Sequence, residues 1–297
     1  MKIFNFGSLN IDKVYSVDNF VTGAETISAK NLEIFCGGKG LNQSISVSQS
    51  GTECIHCGAI GHNGDILINQ LKNYNVNTDY ILKKQSDSGH AIIQLDQNGQ
   101  NAIIVYGGAN KELNKDYIDF VLGYANKDDI ILVQNEINLV DYIIEKASQN
   151  GNRIAFNPSP ITPGITGYPL NVVEFLIINE TEGTALSGET MPEPICNKLN
   201  LLYPNTKVIL TLGKQGAMYS FKNERVFVPA FNVQAIDTTG AGDTFTGYFL
   251  SSVLKGYSPQ DALKISNAAS ALSVMNKGAS TSIPSLVDVE NFLKDQI

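Results

Sequence analysis

Histidine and cysteine are scarce in this chain, with three of the first and four of the second among 297 residues. His56, His62 and His90 leave little material for a Ser-His-Asp triad or a histidine-ligated metal. Four cysteines are too few to staple a chain of this length, which suits a reducing compartment. Cys54 and Cys57 have C-x-x-C spacing, that of a redox pair or half a zinc site. Cys36 and Cys196 stand alone, so no second pair completes such a site. TECIHCGAIG reads as a strand entering a Gly-rich turn, and the pair is taken as strand or core cysteines. Basic charge is short as well: 21 Lys and Arg against 29 Asp and Glu give −8. With no basic run to line a phosphate backbone, nucleic acid is not an expected partner. No stretch approaches the roughly 18 apolar residues of a membrane helix, and MKIFNFGSLNIDKVY lacks a basic start followed by a long apolar run. A cytoplasmic protein without a membrane partner is expected. The sequons at Asn42 and Asn179 matter only in a secreted protein and are read as chance. Two nucleotide signatures are missing too: G-x-x-x-x-G-K-[ST] occurs nowhere, and no G-x-G-x-x-G follows the first strand. A nucleotide, if used, is held in another way.

What is present is a chain able to bury a large core, 43% hydrophobic and 17% charged. Short apolar runs alternate with helical patterns, the mark of βαβ units and a mainly parallel sheet. KIFNFGSL, CIHCGAI, DDIILVQ, RIAFN, VVEFLIIN and TKVILTLG read as strands. Helices are expected over GKGLNQSISVSQSG, from Asp65 to Asn73, near Leu139 to Ser148, around Glu182 and Ile195, from Ala241 to Gly256, and from Pro259 to Met275. Phe245, Tyr248, Phe249 and Val253 recur at helical spacing and are expected on one face. Two segments break this rhythm. HAIIQLDQNGQNAIIVY, from His90 to Tyr106, alternates around Asn98-Gly99 as a hairpin. Residues 13–36, with VYSV and ISAKNLEIF, are too long for a tight connection. Together they are expected to form a small β lid on a single α/β domain spanning 1–297.

Chemistry is expected where glycines open a helix. In Asp237-Thr238-Thr239-Gly240-Ala241-Gly242-Asp243 the glycines let several N–H groups converge at a helix N-terminus, whose dipole favours an anion. Such preorganised donors suit a phosphoryl group in transfer, and an Asp in the first turn can accept a proton from an attacking hydroxyl. Asp243 by itself also matches a helix-capping carboxylate; the flanking Gly-Ala-Gly and Asp237 favour chemistry. Gly37-Gly38-Lys39-Gly40-Leu41-Asn42 opens a second helix, where Lys39 and Asn42 supply groups suited to a polyol, or form a tight turn with a solvated lysine. Asn10 and Asp12 follow the first strand, at the carboxyl end where open α/β sheets bind ligands, although a loop aspartate is commonly a turn former.

The segments GSLNID, GGKGLNQ, NPSP, NETE, TLGKQG and DTTGAGDTF, in this order, resemble the PfkB/ribokinase family of carbohydrate kinases from Phe6 to about Pro284. Within that family the likeness is strongest to the ribokinases. The resemblance implies a three-layer α/β fold with a β-sheet lid and transfer of a phosphoryl group from MgATP to a sugar. By position, Asp243 matches the general base, and Gly240, Ala241 and Gly242 the anion-hole amides. Asn10, Asp12, Gly38, Lys39, Asn42 and Glu136 match the sugar-binding positions. Asn179 and Glu182 match the motif serving phosphates and Mg²⁺. Thr211, Leu212, Gly213, Lys214, Gln215, Gly216 and Asn267 match nucleotide-binding positions, with Gly242. Asp237, Thr239, Ser273, Asn276, Gly278 and Ser282 match a monovalent-cation site, which implies K⁺ activation.

Departures are mild: Leu41 stands where the family often has Ala, and Asn267 where it often has His. D-Ribose is the implied substrate and D-ribose 5-phosphate the product. The alternatives are fructose or another pentose, a nucleoside, and a sensor that binds without turnover. A phosphorylated sugar fits less well, since residues 13–36 offer only Lys13 and Lys30 to a second phosphate. The apolar residues Ile92, Ile93, Leu95, Ile103, Ile104 and Val105 leave strand edges and surface to cover, so a homodimer through the lid is expected.

Overall fold

A computed structural model describes residues 1–296. Along the chain come β1 (Ile3–Phe6), β2 (Asn10–Ser16), β3 (Asn31–Gly37), α1 (Lys39–Gln49), β4 (Cys54–Ile60), α2 (Asp65–Asn73) and β5 (Asn77–Lys83). The hairpin β6 (Gly89–Leu95) and β7 (Asn101–Tyr106) follows, then α3 (Lys115–Leu122), β8 (Ile130–Gln134), α4 (Val140–Gln149), β9 (Arg153–Asn157) and β10 (Phe175–Asn179). The rest comprises α5 (Glu180–Ser187), α6 (Pro192–Leu202), β11 (Lys207–Thr211), β12 (Gly216–Phe221), β13 (Glu224–Pro229), α7 (Ala241–Leu254), α8 (Pro259–Val274) and α9 (Leu286–Asp295).

The large sheet has the order β13-β12-β11-β10-β9-β8-β1-β4-β5. Its strands from β11 to β5 pair in parallel, and β12 and β13 extend it as an antiparallel edge. Strands such as Ile130-Ile131-Leu132-Val133 are buried along their whole length because helices cover both faces. Phe4, Phe6, Ile131 and Val133 face α3 to α6, whereas Ile3, Ile130 and Leu132 face α1, α2, α7 and α8. The three expected layers are therefore present. From β1 the chain proceeds to β4 and β5 on one side, then returns to β8 and beyond on the other. That reversal opens a crevice at the carboxyl ends of β1 and β8, the position where such sheets take ligands.

Strand β2 joins β3 and β6, and β6 joins β7, in a second, four-stranded sheet. Its strands differ in two respects from the expected 13–36 and 90–106. β2 begins at Asn10, because pairing with Gly37 and Gly89 continues to that residue, so Asp12 lies in a ladder rather than a loop. Residues 27–30 stay outside β3. A correction also applies to α7. Phe245 and Phe249 stack at 6.1 Å and face the large sheet, but Tyr248 turns to Ala268, Ala269 and Val289 and donates to the Pro284 carbonyl. The helix lies between α1 and α8 and is apolar on more than one side.

The C-x-x-C question is settled by the strand. Residues three apart on β4 point to opposite faces: Cys54 lies in the core under α1, Cys57 in the core under α3. Burial pushes the Cys54 thiol up to about 12 and Cys57 well above its usual range. His56 is buried between them and burial pushes it down to about 3, so it is neutral. No helix among the described residues is long and apolar enough to cross a membrane.

One close approach sets the position of α1. A Cβ on Gly40 would fall 2.3 Å from the Ser8 amide nitrogen and 2.4 Å from the Gly7 carbonyl carbon. Gly40→Ala is expected to destabilise the protein by about 1–3 kcal/mol, the range of overpacking, as read from urea unfolding midpoints. An unchanged midpoint would show that the helix can shift at no cost.

Candidate active site

The crevice is lined by strand ends and two helix starts. Helix α7 is capped by Gly240, whose φ of 77° is left-handed, a conformation glycine adopts without strain. The turn leaves the amides of Gly242 and Asp243 without acceptors among the described residues. Both point from a helix N-terminus, where negative charge is stabilised. Asp243 is buried, and its two oxygens accept from different amides: Oδ2 from Asn42 Nδ2 at 2.9 Å, Oδ1 from Gln43 Nε2 at 2.8 Å. Asn42 and Gln43 lie in the first turns of α1, so the two helices meet at this carboxylate. The Asn42 Oδ1 is buried with no partner, an acceptor waiting beside Asp243.

A cavity of about 320 Å³ opens from this point. Lys39, Asn179, Glu182, Thr211, Gly213, Gly242 and Asp243 line it, all expected from the sequence. Asn179 and Glu182 form a capping box at the start of α5: Asn179 Oδ1 accepts from the Glu182 amide, and Glu182 Oε2 accepts from the Asn179 amide. Burial works to neutralise Lys39, but the charges of Asp243, Glu136 and Glu182 outweigh it and raise its pKa above the usual 10.5. Lys39 thus remains an ammonium, placed between the two ends of the site.

Asn10, Asp12, Gly38 and Glu136 are grouped at the other end of Lys39. Glu136 Oε2 accepts from the Lys39 amide at 3.0 Å and from the Ser8 hydroxyl, capping α1 with a carboxylate. Asn10 Oδ1 accepts from Asn110, whose own oxygen accepts from the Leu9 amide, so Asn10 keeps its NH₂ for the site. Asp12 sits against Gly37, where a Cβ would lie 1.9 Å from its Oδ2.

Other expected residues are placed differently. Leu212 is core, and Lys214 and Gln215 are exposed in the turn before Gly216, outside the lining. Asn267 spends its NH₂ on the carbonyls of Val228 and Pro229, bracing the end of β13, and does not line the cavity. In the segments holding the six cation positions, Asp237 accepts from the amides of Thr239 and Gly278, tying the approach to α7 to the loop after α8. Ser273, Asn276 and Ser282 turn their side chains onto nearby backbone carbonyls. Among the described residues no cluster of three His, Cys, Asp or Glu forms a metal centre. Reading by motif missed Ser8, Gln43, Asn157, Ser159, Thr181 and Thr246, which touch or line the site. Asn157 and Ser159 stand inside NPSP, and ending a strand was the available signal.

Residues 1–286 match the pfkB family of carbohydrate kinases. A ribokinase of Bacillus subtilis is 34% identical over 97% of each chain, and a deoxyribokinase of Salmonella typhi 30% identical over 99% of each. The solved Arabidopsis thaliana ribokinase, complexed with ribose and ATP, superposes with a TM-score of 0.89 at 29% identity, covering 99% of this chain and 98% of that one. The chain belongs to the pfkB family of carbohydrate kinases.

Asp12 gives a pH test. Burial, and secondarily the charge of Glu136, push its carboxyl up from 3.8 to about 7. Between those values the folded state holds a proton that the unfolded state has lost, so this group's contribution to stability declines as pH rises from about 4 to 7. Asp12→Asn, permanently neutral, should therefore raise the Tm of the unliganded protein at pH 8 and change it much less at pH 5. A gain confined to pH 5 would refute the assignment.

Proposed function

We propose that the protein is an ATP-dependent ribokinase that phosphorylates D-ribose at its 5-hydroxyl. The observation that carries this reading is the carboxylate of Asp243, held by two amides beside two unpartnered N–H groups at the mouth of a cavity. Asp243 takes the proton of the attacking hydroxyl, and the paired amides keep the carboxylate aimed at it. The Gly242 and Asp243 amides, with the N-terminus of α7 behind them, receive the charge that develops on the transferring phosphoryl group. Lys39 neutralises charge from the side. The orphaned Asn42 Oδ1 accepts from a sugar hydroxyl, while Asp12, Glu136 and the Asn10 NH₂ hold the remaining hydroxyls.

The residues facing the cavity fit a magnesium nucleotide. Glu182 commits one oxygen to its capping box and lines the wall with Asn179, so these two would serve the phosphates and Mg²⁺. The ion would supply neutralisation of phosphate charge. Thr211 and Gly213 border the nucleotide end. A monovalent cation near Asp237 is supported by the ties that join the two surrounding loops. Four free cysteines suit a cytoplasmic setting.

Steady-state release of ADP from MgATP with D-ribose, 2-deoxyribose, fructose and other pentoses, each in K⁺ and in Na⁺, tests the proposal. Ribose in K⁺ is expected to give the highest kcat/KM; preference for another sugar would displace ribose, and equal rates in Na⁺ would remove the cation site. Asp243→Asn should lower kcat by about 10³-fold while calorimetry still detects ribose binding. We also propose that two copies associate through the small sheet, where Ile34, Ile103, Ile104 and Val105 are exposed. Sedimentation equilibrium should return twice 32.2 kDa, and Ile104→Asp should shift the distribution toward monomer. A monomeric mass for the unmodified chain at micromolar concentration would overturn the dimer.

A further inference from the structure

Three buried amides stand side by side where an apolar core would be expected. Asn5 of β1, Gln134 of β8 and Asn157 of β9 lie on neighbouring strands, on the face that packs against α1. All three are buried, as is Gln43 of α1 above them. Gln43 Nε2 donates to Asp243 Oδ1 at 2.8 Å and to Asn157 Oδ1 at 3.1 Å, and its Oε1 accepts from Gln134 Nε2 at 2.7 Å. Gln134 Nε2 also donates to Asn5 Oδ1 at 2.8 Å.

A carboxamide presents donors at one end and an acceptor at the other, and its two ends are nearly equal in size. Packing alone does not choose between them; a fixed partner does. Two backbone carbonyls, which can only accept, fix both ends of this network. Asn5 Nδ2 donates to the Gly40 carbonyl at 2.8 Å, so its Oδ1 must face Gln134, and Gln134 in turn must give an N–H to Gln43 Oε1. Asn157 Nδ2 donates to the Ile177 carbonyl at 2.9 Å, so its Oδ1 must face Gln43. Each constraint independently turns the NH₂ of Gln43 toward Asp243. Reversed, Gln43 would set its oxygen against an aspartate oxygen and an amide oxygen at once.

We propose that Gln43 is a positioning residue whose direction is imposed by Asn5, Gln134 and Asn157, and that this polarity holds the Asp243 carboxylate in its reactive orientation. The proposal rests on the reading of Asp243 as the base. Asn42 holds one carboxylate oxygen directly; the relay governs the other from residues that do not touch Asp243. Its energetic value comes from burial, because Gln43, Gln134 and Asn5 are shut off from solvent and no water replaces a bond lost among them.

The test is a double-mutant cycle between positions 43 and 134, read at saturating ribose and MgATP. Gln43→Met is expected to lower kcat by about 10²-fold and Gln134→Met by about 10-fold, with both KM values within about 3-fold, as for loss of a group acting on the transition state. In the Gln43→Met background, Gln134→Met should cost nothing more in kcat, since no amide remains to be oriented. Independent, multiplying losses would overturn the relay, as would a normal kcat accompanied only by a lower Tm. A neutron structure of the unmodified protein decides the matter if these variants do not fold. Deuterons on the Gln43 atom facing Asp243 support the proposal, and an oxygen there overturns it. Should Asp243→Asn turn over at the unmodified rate, the base assignment falls and the relay with it; should Asp243→Asn be dead while both methionine variants keep full kcat, only the relay falls.

Discussion

The polar site depends on how closely the first turn of α1 approaches the turn after β1. Gly7 and Gly40 meet there with no room for a Cβ on either: one on Gly7 would lie 2.5 Å from the Gly40 Cα and 2.5 Å from the Gln134 Oε1. That contact fixes the rotation and height of α1. With the helix so placed, the Lys39 amide reaches Glu136, the Leu41 amide reaches the Ser8 carbonyl, and Asn42 and Gln43 come up beneath Asp243. A helix displaced outward by the thickness of a methyl group would lengthen each of these bonds together, because all depend on one rigid element. Placement by packing is what permits catalytic geometry to be held by neutral side chains.

Neutral donors matter because the crevice is rich in carboxylates. Asp243, Glu136 and Glu182 act together on one ammonium, Lys39, and Asp12 adds a fourth carboxyl beside Glu136. The protein does not resolve this with ion pairs: among the described residues Lys39 closes none, and the pairs that do occur lie elsewhere, exposed for Lys30 with Asp18 and Lys83 with Asp65 and half-buried for Arg153 and Lys207 with Glu174. Amides satisfy the buried oxygens instead. Lys39 is held by the summed field of three carboxylates without being committed to any of them, so it remains available to a ligand anion. The cost appears at Asp12, whose raised pKa records a carboxyl that is buried and, secondarily, placed beside the charge of Glu136. Sites that bind and react commonly depart from the arrangement that stability alone would select.

Elements with strong local signals were legible in the sequence. Asp65 to Asn73 and Cys54 to Ile60 fall where periodicity and continuous apolar runs put them, and α1 and α7 end before the left-handed Gly51 and Gly256. What escaped had weak or atypical signals. Strand β5 is only partly buried and its NTDYILK lacks alternation. The hairpin of β12 and β13 turns through Lys222 at φ 51°, a conformation normally marked by glycine or asparagine. Helix α9 did carry a marker, the Ser285 to Asp288 capping box. In the site, glycine-rich helix starts pointed to Asp243 and Lys39 because backbone geometry is local. Gln43 and Asn157 stood inside GGKGLNQ and NPSP with no role attached, and Gln134 gave no signal; their juxtaposition arises from three strands and a helix meeting, which spacing along the chain does not encode. Asn267 shows the reverse case, a residue at a motif position whose amide is consumed by backbone carbonyls.

The small sheet carries two of the carboxyl and amide side chains that face the crevice. Asn10 and Asp12 lie on β2, locked in register to β3 on one side and β6 on the other. Glu136, Asn42 and Asp243, by contrast, are fixed to the large sheet and its helices. This end of the crevice is therefore assembled from both sheets, which the short connections from Phe6 to Asn10 and from Gly37 to Lys39 hold together. Any displacement of the small sheet carries Asp12 with it, changing its burial first and its distance from Glu136 second, the two causes of its raised pKa. A ligand that donates hydroxyls to both carboxylates stabilises the arrangement in which they are close, and the unliganded protein has an electrostatic reason to relax away from it.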